Sequence, residues 1–213
     1  MFVGDRMSRP VISVSPDAPI NEVLAMFKKE RIRRAPVLKD GKLAGIVSER
    51  DLLNAAPSSA TTLSIWEMNY LISKVKIKNV MTKKVTTVSR DTPIEEAARI
   101  MADNKIGGMP VVSNGRVTGM ITETDLFKIF LELMGAREKG VRATILMEEK
   151  LGQLAFITKV IAELGGNFVA FGQFAGSELS NRLITFKVSG LDENLLRDAI
   201  VPHVNQIVDL RTI

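Results

Sequence analysis

Two segments of this 213-residue chain carry residues that could hold a phosphorylated sugar. Gly45-Ile46-Val47-Ser48-Glu49-Arg50-Asp51 and Gly119-Met120-Ile121-Thr122-Glu123-Thr124-Asp125 share one pattern: Gly, two apolar residues, Ser or Thr, two variable positions, Asp. The apolar residues read as the end of a strand, with Ser48 or Thr122 as the N-cap of a helix. A helix start leaves backbone N–H groups unpaired at the positive end of the helix dipole, so a phosphate fits there. The carboxylate one turn later can accept hydrogen bonds from vicinal ribose hydroxyls, as acidic residues do in other nucleotide-binding folds. The same spacing also reads as a capping box, which a helix uses with no ligand at all. Recurrence of the pattern after two apolar stretches weakens the second reading without removing it.

Most other chemistry is excluded by composition. There is no cysteine, which removes thiolate nucleophiles, disulfides and Cys-ligated metal, and the one histidine, His203, cannot build a multi-histidine metal centre. No P-loop or G-x-G-x-x-G is present, so neither a nucleophile–base pair nor a dinucleotide fingerprint assembles. His203 itself reads as a surface or capping residue. No apolar run reaches the ~18 to 20 residues of a membrane span, and residues 1–6 lack a signal-peptide apolar stretch, so the expectation is a cytoplasmic protein with no membrane partner and no metal or covalent cofactor. Hydrophobic residues make up 46% and charged residues 25%, as in a folded globular chain. The net charge of +5 lies entirely before Ala136, because the remainder holds nine basic and nine acidic residues. A basic half beside a neutral one points to two units, the first with anionic partners.

The elements that must position the two patterns repeat as well. Shifted by 74 positions, residues 7–54 align with 81–128 without a gap and with sixteen identities, among them Met7/Met81, Pro19/Pro93, Pro36/Pro110, Gly45/Gly119 and Asp51/Asp125. Unrelated sequences would share about three. In each copy a short extended segment (11–14; 85–88) leads to Pro19 or Pro93 in a first helical turn, and Thr92-x-x-Glu95 offers a capping box. Ile20, Val23, Leu24 and Phe27, against Ile94, Ala97, Ala98 and Met101, recur at helical spacing. Two strands around Asp40-Gly41 or Asn114-Gly115 form a hairpin, and a second helix starts at Ser48 or Thr122. One copy is too small to close a core, so the two are expected to pack sheet against sheet. Between them, Leu63, Trp66, Tyr70 and Leu71 could share a helical face, and 74–78 alternates as an extended segment.

After Gly135 and a charged hinge the pattern changes. Val141, Ala143, Ile145 and Met147 alternate as a strand; Leu154, Ile157, Val160, Ile161 and Leu164 form a helical face stopped by Gly165-Gly166. Strands over 168–174 and 181–188, a helix from Asp192 and a strand from Gln206 complete the order β-α-β-β-α-β, the ferredoxin-like arrangement.

The duplicated unit resembles a tandem CBS-domain pair, or Bateman module: Met-Ser/Thr leads each copy, Arg33-Arg34-Ala35-Pro36-Val37 precedes the hairpin, and Gly-x-x-Ser/Thr-x-x-Asp ends it. The resemblance covers about residues 1–133. It implies an α/β (α+β) fold of two packed CBS repeats, with a cleft for AMP, ADP, ATP or S-adenosylmethionine. By that resemblance Asp51 and Asp125 hold ribose and Ser48 and Thr122 meet ribose or phosphate. Each cleft would draw on the other copy, Arg33, Arg34, Ala35 and Pro36 completing Asp125, and Gly107, Gly108, Met109 and Pro110 completing Asp51. The clefts are unequal, since Arg33-Arg34 becomes Gly107-Gly108 and Arg50 becomes Thr124. Affinities for phosphorylated ligands should differ accordingly. Arg33 and Arg34 also read as cations stabilising a helix C-terminus.

The last unit resembles an ACT domain, through the loop 148–154 and Gly165-Gly166-Asn167. That resemblance implies an amino-acid effector site at a dimer interface, formed by Glu149, Leu151, Gly152, Gln153 and Asn167. The family pattern there has an Asp and a Pro, where this chain has Glu149 and Leu151. A unit that only dimerises by pairing sheets fits the same residues. The expected domains are 1–60 and 61–135, the two CBS repeats with a linker helix, and 140–213, the ACT-like unit. The whole arrangement resembles the acetoin-utilisation AcuB family, implying a non-catalytic homodimeric regulator that signals through a downstream protein. A basic nucleic-acid-binding protein and a structural dimer with vestigial pockets are the rival readings, the first made weak by only 5% aromatics.

Overall fold

The hairpin turns show why the repeated glycines recur. In a computed structural model describing residues 1–55, 64, 74–178 and 180–213, Asp40-Gly41 and Asn114-Gly115 take positive φ at both positions (51° and 75°; 49° and 74°). That backbone matches the twist of the strands flanking each turn. The strands are β1 (Arg34–Lys39) with β2 (Lys42–Ser48), and β3 (Gly108–Ser113) with β4 (Arg116–Thr122), each an antiparallel pair. The chain divides into two compact units, Met1–Leu126 and Phe127–Ile213.

The first unit is built by exchange. Its helices are α1 (Val3–Arg6), α2 (Ile20–Glu30), α3 (Glu49–Ala55), α4 (Ile77–Val80), α5 (Ile94–Asn104) and the start of α6 (Glu123–Leu133). The segment leading each copy lies on the other copy: Val3 and Gly4 donate to the carbonyls of Thr92 and Arg90, while Ile77 and Lys78 donate to those of Ala18 and Pro16. Ser8 pairs with Met120 in β4, and Thr82 with Ile46 in β2. Ile77 is therefore fully buried in the first copy's core, beside Ile20, Phe27, Val37, Val47 and Leu52. Glycine is required where the segments cross. A Cβ on Gly45 would stand 2.7 Å from Met81 Sδ and 2.9 Å from the Thr82 carbonyl, and one on Gly119 would collide with Met7 Sδ. The identities Met7/Met81 and Gly45/Gly119 are thus two halves of one reciprocal contact.

Local details differ from the sequence expectation in three places. Pro19 and Pro93 are N-caps rather than first-turn residues. Thr92 forms no capping box, because its Oγ1 accepts from Ser89 N at 3.1 Å and is spent on the preceding turn. Residues 74–78 are not one extended stretch: Lys76 is extended, bridged to Pro19, but Ile77–Val80 turns into α4. The helical face expected at 63–71 lies outside the described residues.

The second unit has the expected β-α-β-β-α-β order: β5 (Val141–Glu148), α7 (Gln153–Glu163), β6 (Asn167–Ala175), β7 (Asn181–Ser189), α8 (Glu193–Ile200) and β8 (Gln206–Thr212). The antiparallel sheet runs β6-β7-β5-β8, the ferredoxin-like order. Alternate residues of β5 and β7 (Val141, Ala143, Ile145; Ile184, Phe186, Val188) pack against Ile157 and Ile161 of α7 and Leu196 and Ile200 of α8. Asp192 caps α8, accepting from Leu195 N at 2.9 Å. Among the described residues no helix is long and apolar enough to cross a membrane.

Candidate nucleotide cleft

Each repeated pattern folds as strand, N-cap, helix. Ser48 ends β2 and Thr122 ends β4, and each is closed onto the carboxylate three residues later. Asp51 Oδ2 accepts from Ser48 N at 2.8 Å and from Ser48 Oγ at 2.7 Å; Asp125 Oδ2 accepts from Thr122 N at 2.9 Å and Thr122 Oγ1 at 2.7 Å. The capping arrangement is thus present in both copies. It also corrects the expectation of free N–H donors for phosphate. Glu49 N donates to Arg33 O at 2.8 Å, Glu123 N to Gly107 O at 3.1 Å, and Asp51 N to Ser48 Oγ. These three donors are satisfied internally. The other Asp51 oxygen, Oδ1, makes no hydrogen bond among the described residues and remains available for hydroxyls.

A cleft of about 480 Å³ opens over Ser48 and Asp51, entirely within the first unit. Both copies line it. The first supplies Arg33, Arg34, Ser48, Glu49, Arg50 and Asp51; the second supplies 82, 84–86, Gly107, Gly108 and Glu123. The second-copy residues arrive there because Thr82 is bridged to Ile46, which brings the following segment alongside β2. Gly107 and Gly108 accordingly line the same cleft as Asp51.

The remaining expected residues separate from this cleft. Ala35 and Met109 are fully buried, and Pro36 and Pro110 are buried with their carbonyls accepting from Val14 and Val88. These four serve the core and the leading segments. Asp125 is buried, Thr122 half-buried and Thr124 exposed, and none of the three lines the cleft. Arg33 and Arg34, expected beside Asp125, line the Asp51 cleft. Lys84, Lys105 and Glu123 belong to the cleft and were missed. Aligning Lys84 with Pro10 and Lys105 with Arg31 across the repeat could have revealed the first two.

Arg34 dominates the electrostatics. Its guanidinium lies over Gly107 and its Cδ over Gly108, so that a Cβ on Gly107 would stand 2.7 Å from Arg34 Nη1 and 2.6 Å from Glu123 Oε2. Burial lowers the Arg34 pKa from the ordinary guanidinium value; Arg33 pushes the same way, while Glu123 and Asp51 oppose.

In the second unit a cavity of about 580 Å³ is lined by Glu148, Leu151, Gly152, Gln153, Phe156, His203 and neighbours. Gly152 has φ 85°, and His203 packs edge-on against Phe156 with ring centroids 4.6 Å apart. Glu149 does not line it and is paired with Arg182 at 2.5 Å. Asn167 pairs with Ser189 at the far end of the sheet from Glu148, so one chain does not bring it to this loop.

Known proteins match the first unit. A CBS domain is matched twice, over residues 3–58 and 77–132. Protein MJ1426 of Methanocaldococcus jannaschii is 34% identical, covering 62% of this chain and 92% of that relative. A CBS-domain pair of protein MJ0100, solved with 5′-methylthioadenosine and S-adenosyl-L-methionine, is 28% identical with a TM-score of 0.52, covering 65% of this chain and 98% of that one. A candidate acetoin utilization protein (AcuB) from Vibrio cholerae is 30% identical with a TM-score of 0.54, covering 64% and 95%. An inosine-5′-monophosphate dehydrogenase of Korarchaeum cryptofilum is 34% identical over 56% of this chain but only 22% of its own length, so the likeness does not extend to most of that enzyme. With two matched domains spanning over half its length, bridged to one another by their leading segments, this chain belongs to the CBS-domain family as a tandem pair.

Proposed function

We propose that this protein is a non-catalytic regulator that binds an adenosine-containing ligand, AMP, ADP, ATP or S-adenosylmethionine, in the cleft over Asp51. The observation that supports this reading best is the Asp51 carboxylate, whose Oδ2 is held by Ser48 while the residue lines a two-copy cleft of about 480 Å³. A carboxylate oriented in this way suits the vicinal hydroxyls of a ribose. That the MJ0100 pair was solved with two adenosine compounds supports the same class. Ligand binding would favour one arrangement of the two copies and so shift a population. The output leaves through another protein, the molecule acting as a cytoplasmic homodimer. The second unit serves as an ACT-like domain whose loop cavity, about 580 Å³ around Gly152, receives an amino acid. Asn167 would then have to reach that loop from a second copy.

Thermal unfolding of ligand-stripped protein with AMP, ADP, ATP and S-adenosylmethionine in turn tests the reading. At a hundredfold excess over Kd a ligand specific to the folded state adds about 2.7 kcal/mol. The expected result is stabilisation by at least one adenosine compound, lost in Asp51→Ala and retained in Asp125→Ala. No stabilisation by any of the four refutes the nucleotide reading.

A further inference from the structure

The cations of the Asp51 cleft are unmatched. Arg33, Arg34, Arg50, Lys84 and Lys105 line it, against Glu49, Asp51 and Glu123. None of the five forms an ion pair or side-chain hydrogen bond among the described residues. Elsewhere some basic side chains are paired, as in Lys78 with Asp17, Arg99 with Glu96 and Asp103, and Arg142 with Asp209. Of the three acids, Asp51 is engaged by Ser48. Arg34 is the clearest case: half-buried and with no hydrogen bond or close ion pair among the described residues, it has only the longer-range charges of Glu123 and Asp51 to offset its burial. Burying a charge in that way is costly unless something pairs with it.

The second copy makes room for this arrangement. Gly107 and Gly108 replace Arg33 and Arg34, and any side chain at 107 would meet the Arg34 guanidinium. Likewise Lys84 corresponds to Pro10, and Arg50 to Thr124. Four of the five cations that line the Asp51 cleft thus have no basic counterpart in the other copy, Lys105 alone matching Arg31.

We infer that the Asp51 cleft selects a polyanionic ligand, an adenosine 5′-di- or triphosphate, one per chain, in preference to sulfonium or thioether adenosine compounds, with Arg34 as the residue that sets this preference. The inference rests on the adenosine reading above and adds the ligand's charge. S-adenosylmethionine carries a sulfonium and an ammonium against a single carboxylate, so it would bring net positive charge to a cleft in which cations already outnumber acids five to three. 5′-Methylthioadenosine would leave them all unpaired. A phosphate chain supplies acceptors for the guanidinium and ammonium donors that line the cleft, and a guanidinium can bind it in bidentate fashion.

Isothermal titration of the full chain at constant ionic strength tests this, with ATP, ADP, adenosine, S-adenosylmethionine and inorganic tripolyphosphate as titrants. The expected result is one ATP or ADP per chain, bound at least about tenfold more tightly than S-adenosylmethionine, as one charge-assisted contact of about 1.5–3 kcal/mol would give. Tripolyphosphate should compete with ATP. Arg34→Met and, separately, Lys84→Met should each weaken ATP about tenfold or more while changing adenosine affinity little, with circular dichroism verifying the fold. S-adenosylmethionine binding as tightly as ATP, or ATP affinity unchanged in both variants, overturns the inference while leaving the adenosine reading intact. Tripolyphosphate binding as tightly as ATP, with no adenosine binding, overturns the adenosine reading and leaves a polyanion site.

Discussion

The Lys187 ammonium donates to the carbonyl oxygen of Gly135 at 2.7 Å, and also to that of Glu138 at 2.9 Å, from a side chain only 2% exposed. These carbonyls belong to the turn that follows α6, where Gly135 takes φ 55° and its N–H returns to Glu132 O. A cation placed at the end of a helix meets carbonyls that have no partner within it. Lys187 thereby ties the turn 135–138 to the middle of the sheet. Lys187→Met would strand both acceptors in a buried place, and each such loss costs about 1–3 kcal/mol. Chemical denaturation should show destabilisation in that range, and hydrogen exchange should accelerate over 134–140. Unchanged stability would mean that the carbonyls find other donors.

The crossing glycines give a second test. Gly119→Ala and Gly45→Ala should both lower the unfolding midpoint, because each inserted methyl meets the leading methionine of the other copy. Rescue should be unequal. At Gly119 the three nearest atoms all belong to Met7, so Met7→Ala should recover most of the loss. At Gly45 the Thr82 carbonyl is also within 2.9 Å, so Met81→Ala should recover only part. A double-mutant cycle at each pair measures the difference.

Capping strength should likewise differ between the copies. Ser48→Ala removes a hydroxyl from a half-buried carboxylate, whereas Thr122→Ala removes one from Asp125, only 8% exposed. Caps are worth about 0.5–2 kcal/mol. The Thr122 substitution should cost more, since Asp125 has less access to water as a replacement. Equal losses by urea titration would refute that ordering.

The Asp17–Lys78 pair predicts a pH effect. Lys78 Nζ donates to Asp17 Oδ1 at 2.7 Å, and that hydrogen bond, reinforced by the lysine charge, lowers the Asp17 pKa below its ordinary 3.8. A carboxylate with a depressed folded pKa contributes stability above its unfolded value, and the contribution disappears as pH falls through the folded one. Carbon-detected NMR titration should find Asp17 titrating below 3.8 in the native protein and returning toward it in Lys78→Met. Because the pair is exposed, the stability difference should be small and reduced by salt.

Much of the architecture was legible from residue types alone. Apolar spacing and turn residues marked the hairpins at Asp40-Gly41 and Asn114-Gly115, the two helices of each copy, and the β-α-β-β-α-β order after Val141, because these are local preferences with short periods. The Ser48–Asp51 and Thr122–Asp125 pairs were legible for the same reason, lying one helical turn apart. Only the tertiary structure decided what those pairs serve. It exchanged the leading segments, so that Lys84 came alongside β2 and Ile77 entered the first copy's core, and it committed the Glu49 and Glu123 N–H groups to backbone carbonyls. It also sent Arg34 across to Gly107, where the sequence had suggested a partner for Asp125. Spacing along a chain specifies neighbours within a turn or hairpin; which of two like surfaces a long side chain crosses to depends on where the other copy lacks a side chain, and that is a property of the packed pair.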